Sequence, residues 1–448
     1  MFLQIHSLRS FGPSNPNRDD SGSPKTAIYG GRLRQRISSQ CLKRAIRLTM
    51  KDGKRESFRT RLLAERVADS LNTNHGLEKA EALELARYIG VLGSSKKIDA
   101  ALKEAREGKG KAKGKDKKSD KEGDETKSGP TTVLEALAKD GRSKGETAQL
   151  IFASQSEITS ISNGLAQLRE RISSMSASDI EDAITKATRQ TKGTPLEIAI
   201  FGRMTTSDAF ADVEGAVQVS HAVGVNEFTI ESDYWTAVDD LLSQRKEEGE
   251  GDLESKGAAH LGDAEFGSST YYLYANLDVD RLAESSGDRD GSIEAATAFV
   301  KATITATPSG KSNGMASYEV PAIVVVEVGQ ARRPLSYLSA FEAPVRTNGD
   351  ESMTSVAVER LLKHIARCDA FQGEASPQRF YLALEPILKL PSEEGAEDNK
   401  EKGTEDSKEK EAKNIEEQKA RNVKELLDKV RDALRAPVAH PAKTLVEA

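Results

Sequence analysis

RISSQCLKRAIRLTMK, residues 36–51, reads as an amphipathic helix that follows a strand. Ser38 or Ser39 suits an N-cap, because a short hydroxyl accepts a hydrogen bond from an orphan backbone N–H of the first turn. At about 100° per residue, Gln40, Lys43, Arg44, Arg47 and Lys51 fall within one arc, with Leu42, Ala45, Ile46 and Thr49 opposite. One face packs and the other is cationic. The helix start adds free N–H groups and the positive end of the macrodipole, which suits phosphate oxygens. Arg32, Arg34 and Arg36 precede the cap, and the Gly30-Gly31 pair lets a second backbone approach closely. Asp52 is the only acid between Arg32 and Arg55 in a chain of formal net charge -6. So local a positive face predicts a polyanionic partner; the alternative is an ordinary helix with a solvated basic face.

Outward from this helix, residues 2–8 alternate as a strand, while 148–153, 196–201, 271–279 and 321–328 read as further strands and 292–301 as a helix. Residues 156–168 and 178–188 read as inserted helices. Strand, helix, two strands, then strand, helix and strand is close to a split βαβ arrangement and predicts an α+β fold.

With 448 residues, 30% charged and 37% hydrophobic, the chain has room for two or more domains and carries unpacked segments. Residues 108–129 are nearly all Lys, Gly, Asp, Glu and Ser and are expected to be disordered; their lysines could attract DNA, an effect their acids weaken. Residues 391–414 read as a charged linker, and 415–434 as an amphipathic helix in a tail reaching 448. Cys41 and Cys368 make neither a disulfide framework nor a CxxC site. No apolar run has the span of a membrane helix, and no export signal is visible. The expectation is a cytoplasmic protein with no membrane partner.

Several blocks carry a family resemblance: Asn17 to Asp20, Lys25-Thr26-Ala27, Gly30-Gly31, and Arg36 through Ala45. Further blocks are Phe201-Gly202-Arg203-Met204, Ala216 to Val219 with His221-Ala222, Asp233 to Asp240, His260-Leu261-Gly262, Glu265-Phe266, Pro308-Ser309-Gly310-Lys311 and Ala340-Phe341-Glu342. In this order they resemble the CasC family, the backbone subunits of type I-E CRISPR Cascade complexes, across roughly residues 1–60 and 195–345. Cys41 stands where the signature usually has a small hydroxyl residue. The resemblance implies an RRM-like (ferredoxin-like) palm with a long thumb excursion and helical insertions. Its map would be palm at 1–60, insertion at 61–195, palm strand at 196–203, thumb at 204–268 and the rest of the palm at 269–390.

The resemblance also implies a role. Copies of the chain, with other Cascade subunits, would stack along a crRNA and display it for pairing with target DNA in antiviral defence. Arg18, Lys25, Ser38, Gln40, Lys43, Arg44, Arg47 and Lys311 would hold the RNA backbone without reading sequence. Met204, Tyr234 and Trp235 would be thumb residues that wedge into the duplex, each stacked base contributing roughly 1–3 kcal/mol; the alternative is that they pack against one another or the palm. Gln218 and His221 are read as helix-face or interface residues rather than ligands.

Catalytic signals are sparse. The histidines at 6, 75, 221, 260, 364 and 440 form no HxxxH pair, and no phosphate-binding GxxxxGK[ST] occurs. Gly310-Lys311-Ser312-Asn313-Gly314 fits GxSxG, but Thr307-Pro308-Ser309 before it predicts a loop rather than a nucleophile elbow. His260 is expected to bond or contact RNA, and Asp19-Asp20 and Asp239-Asp240 to be solvated. No catalytic residue, metal or cofactor is expected. The alternatives are a type III-like backbone subunit that cuts target RNA through Asp208 or Asp212, or a standalone RRM-like RNA-binding protein.

Overall fold

The computed structural model describes residues 1–50, 57–112, 130–191, 193–237, 260–329, 334–372, 377–384 and 418–436. Two compact units emerge. The first comprises Met1–Asp52, Val217–Ala283 and Asp288–Ala448, and the second Gly53–Ala216 with Glu284–Gly287.

The first unit opens with β1 (Phe2–Ser14), then the hairpin β2 (Thr26–Tyr29) and β3 (Arg32–Ile37), then α1 (Ser39–Thr49). Gly30 and Gly31 have φ of 59° and 70°, the positive values that a two-residue type I′ turn demands. A Cβ on Gly30 would also lie 1.8 Å from the Glu342 carbonyl oxygen, so the glycine is required twice over.

Next along the chain, the second unit contains β4 (Ser57–Thr60), α2 (Leu63–His75), α3 (Lys79–Ala86), α4 (Ser95–Ala112), α5 (Val133–Lys139), β5 (Ile151–Ser154), α6 (Gln155–Leu168), α7 (Ala177–Thr188) and α8 (Leu196–Phe201). β4 and β5 pair antiparallel, and the helices bury Leu71, Ile89, Ile158, Ile161, Leu165 and Ile180 in one core. A capping box starts α6: Glu157 N–H donates to Ser154 Oγ at 3.2 Å, and Ser154 N–H donates to the Glu157 carboxylate at 2.9 Å.

Two expectations change here. Residues 196–201 form helix α8 instead of a palm strand, because Pro195 takes the N-cap position and Glu197 lies in the first turn; a short, mostly apolar run fits a helix as well as a strand. The lysine-rich segment expected to be disordered from 108 begins as helix, since α4 runs through Ala112: extending an existing helix costs far less than starting one. Residues 113–129 lie outside the described residues.

The first unit resumes with β6 (Val217–Val219), β7 (Ala222–Gly224), β8 (Glu231–Ala237), β9 (His260–Asp278), α9 (Arg289–Thr305), α10 (Ser312–Met315), β10 (Ile323–Gly329), α11 (Met353–Gln372), β11 (Gln378–Ala383) and α12 (Val423–Arg435). Its strands make one nine-stranded sheet in the order β11-β10-β1-β9-β7-β3-β2, with β6 and β8 also pairing β9. Every named pair is antiparallel; Ile5 of β1 stands between Val326 of β10 and Ala275 of β9. The α+β class follows directly. One sheet face buries Leu8, Tyr272, Ile323 and Val325 with Tyr337, Phe341 and the α11 residues Leu361 and Ile365. Leu42, Ala45 and Ile46 of α1 instead surround a small void together with Ile37, Ala222, Tyr271 and Leu273, so the apolar arc of α1 does pack.

Two buried charges lock this sheet. Arg34 is 0% exposed, and its guanidinium donates to the carbonyls of Gly224, Val225, Phe341 and Glu342 at 2.8–3.2 Å. Glu327 accepts from Arg379 Nε at 2.6 Å and Tyr337 Oη at 2.8 Å. Burial alone would raise its pKa, but His6 and Arg379 together hold it down at about 2. The helix expected at 415–434 spans Val423–Arg435, with Asn422 Oδ1 accepting the Glu425 N–H at 3.0 Å. Residues 385–417, which include the linker expected at 391–414, and the tail 437–448 lie outside the described residues.

Candidate nucleic-acid interface

The start of α1 is assembled by three segments of the first unit. Ser38 is the N-cap: its Oγ accepts the Cys41 N–H at 3.3 Å, while its own N–H donates to Asn17 Oδ1 at 2.8 Å. Lys25 N–H donates to the Asn17 carbonyl at 2.9 Å, and Arg36 N–H to the Lys25 carbonyl at 2.8 Å, so the loop after β1 is laced to the β3–α1 junction. Asp19 turns its carboxylate inward on that loop, accepting Ser21 N–H and Ser23 N–H at 3.0 Å each, and these bonds, with that of the Ser21 hydroxyl first, lower its pKa.

Against this loop lies the block after α9. A Cβ on Gly310 would fall 2.4 Å from the Pro16 carbonyl oxygen, so only glycine lets the two backbones meet. Between them opens a groove of about 610 Å³, lined by Arg18, Asp19 and Asp20 of the loop, Cys41 and Arg44 of α1, and Pro308, Ser309 and Gly310.

The expected contacts are distributed unevenly around it. Arg18 and Arg44 are exposed and line the groove. Lys25 is half-buried, and its charge reaches both Cys41 and His221. Gln40 is exposed on α1, and Arg47 is half-buried one turn beyond Lys43. Lys43 is half-buried with Nζ 3.4 Å from the Val217 carbonyl oxygen, and burial lowers its pKa, so it ties α1 to β6 as well as facing outward. Lys311 follows the groove lining with φ of 47°, preceding the short helix α10; without a strand before it, Ser312 is not on a nucleophile elbow.

The expected thumb, 204–268, is not one element. Met204 belongs to the second unit and is 92% exposed. Its loop is pinned at the neck by Arg203, which exchanges backbone hydrogen bonds with Val213 at 2.8 Å and donates to Glu157 Oε1 at 2.8 Å. Asp212 accepts the Thr205 N–H at 2.7 Å within that loop. Tyr234 and Trp235 belong to the first unit, on β8, whose seven residues are all exposed in a ribbon with the start of β9. As strand neighbours they point to opposite faces, and the Trp235 ring lies over Gly262. Residues 238–259, including Asp239-Asp240, and the side chain of His260 lie outside the described residues.

Gln218 and His221 lie at β6 and the β6–β7 junction, not on a helix: the sheet claims this stretch through the pairing of β6 and β7 with β9. Gln218 Oε1 accepts from Asn276 Nδ2 at 3.1 Å. Asn17 and His221 were missed as organisers of the α1 start. Both fall inside the motif blocks, which was the available signal. Among the described residues no group of three or more His, Cys, Asp or Glu could hold a metal ion, and no helix is long and apolar enough to cross a membrane.

No curated protein matches the chain. A solved structure described as "CRISPR RNA-guided surveillance complex, pre-nicking" is 26% identical with a TM-score of 0.64, covering 87% of this chain and 94% of that chain. A second, "CRISPR RNA-guided surveillance complex", is 22% identical with a TM-score of 0.56 and the same coverages, 87% and 94%, a likeness of fold. Residues 3–407 match the model of a family described as CT1975-like protein. The chain belongs to the CT1975-like protein family.

Proposed function

We propose that this chain is the noncatalytic backbone subunit of a CRISPR Cascade complex, stacking in several copies along a crRNA and displaying it for pairing with target DNA. The observation that carries the reading is the groove at α1, where Arg18 and Arg44 flank a helix start built from three motif blocks. Phosphate oxygens suit such a place, and contacts of this kind position a strand without reading its bases. Likeness to chains described as parts of RNA-guided surveillance complexes supports an RNA partner and neighbouring subunits. The path β1–α1–β6/β7–β9–α9–β10, in the sheet order β10-β1-β9-β7, supports reading the first unit as an RRM-like palm, with β6 and β7 in the place expected of residues 196–201. The β8–β9 ribbon and the Met204 loop would meet the duplex.

Asp212 is read as structural, because its carboxylate is engaged by the Thr205 N–H. Expressed with its operon partners, the chain should co-purify with one discrete RNA in an extended multi-copy assembly. A monomer carrying mixed RNA would overturn the proposal in favour of a standalone RNA binder. Regularly spaced cuts in labelled complementary RNA with magnesium, lost on Asp208→Ala or Asp212→Ala, would overturn it in favour of a nuclease.

A further inference from the structure

His221 stands beside the start of α1. Its Nδ1 accepts the Ser39 backbone N–H at 3.0 Å, and an Arg36 guanidinium nitrogen donates to the same atom at 3.4 Å. Two donors aimed at Nδ1 leave the proton of the neutral ring on Nε2. Burial first, then the charges of Arg36 and Lys25, lowers the pKa of the ring and keeps it neutral at neutral pH. The residue is exposed, and among the described residues the hydrogen bonds of its ring are these two, both at Nδ1. An orphan helix N–H ordinarily open to an anion is thus filled by an imidazole lone pair, and the donor reappears on the far side of the ring.

We propose that His221 is an RNA-backbone contact: its Nε2–H donates to a phosphate or 2′-hydroxyl oxygen of the strand held at α1. This rests on the RNA-backbone reading above. The contact differs in kind from those of Arg18 and Arg44, because a neutral, directional donor adds affinity without adding to counterion release.

Two substitutions separate the nitrogens. In His221→Asn the side-chain oxygen can still accept the Ser39 N–H, but nothing replaces Nε2–H; in His221→Gln the longer side chain brings an amide donor near the Nε2 position. Binding of a fluorescein-labelled single-stranded oligouridine to the full chain is measured over a salt series, with thermal unfolding alongside. His221→Asn should weaken binding roughly tenfold with unchanged unfolding temperature and salt slope, and His221→Gln should recover most of the loss. Unaltered binding in His221→Asn, or no recovery in His221→Gln, overturns the proposal. If His221→Asn unfolds early, His221→Gln decides alone: affinity near that of the parent supports the contact, and a large loss overturns it. An oligodeoxyuridine arm identifies the oxygen, since a matching loss on DNA indicates phosphate and a loss on RNA alone the 2′-hydroxyl. Arg44→Ala serves as the reference. If it weakens oligouridine binding and His221→Asn does not, only the His221 proposal fails; if neither does, the RNA-backbone reading fails with it.

Discussion

Arg34 and Arg44 belong to one basic run, yet their surroundings are opposite. Arg34 is buried with its guanidinium on four carbonyls, from residues 224, 225, 341 and 342, whereas Arg44 is exposed on the groove. Removing a buried charge-assisted donor strands its acceptors, so Arg34→Ala should destabilise the fold by about 3–5 kcal/mol. Arg44→Ala should change stability by less than about 0.5 kcal/mol and act on RNA binding instead. Urea unfolding of both variants checks the contrast, and equal stability losses would remove the distinction between scaffold arginine and contact arginine. Local sequence could not separate them. Arg44 lies on the polar arc of a helix, which periodicity reveals; the burial of Arg34 depends on carbonyls from β7 and from the segment before α11, which only the folded sheet brings to β3.

At the scale of elements, the motif blocks turn out to be paired in space by close approach. Gly30 meets Glu342, Gly262 meets Trp235, and Gly310 meets Pro16, which directly precedes the Asn17 block. The helix α1, its cap and its packing face were legible because cap chemistry and a 3.6-residue period act locally. Helix α8 reads as a strand in the sequence, because six residues, of which only Ile198, Ala199 and Ile200 are buried, are too few to show a period that distinguishes the two. The ribbon half of β9 escaped notice for the converse reason: with few side chains to bury there, the stretch beginning His260-Leu261-Gly262 shows no apolar alternation. The cap of α1 has two separable duties, and substitution can divide them. Ser38→Ala should cost about 1 kcal/mol of stability by stranding an N–H. Ser38→Asp keeps a capping oxygen and should hold stability, while its negative charge beside the proposed phosphate contacts should lower RNA affinity. Thermal unfolding and oligouridine binding measured together would expose an error if Ser38→Asp bound RNA as well as the parent chain.

Taken whole, the molecule carries a formal net charge of -6, so a polyanion is repelled at long range and attracted only where cations are concentrated. Arg18, Lys25 and Arg44 supply that concentration around the α1 start, while Arg34 is spent on the sheet and Lys43 is shared with β6. On the proposed RNA-backbone reading, single-stranded RNA binding should depend on salt through a few contacts, each contributing about 0.7 to the slope of log K against log salt. Replacing Arg18, Lys25 and Arg44 together by alanine should reduce that slope by about 2 and cut affinity most at low salt, where counterion release matters most. The same triple change placed on Lys96, Lys103 and Lys186 of the second unit shifts the net charge equally and serves as the control. A slope that falls as much in the control as in the groove variant would mean that RNA responds to overall charge, and the α1 groove would lose its claim to be the contact surface.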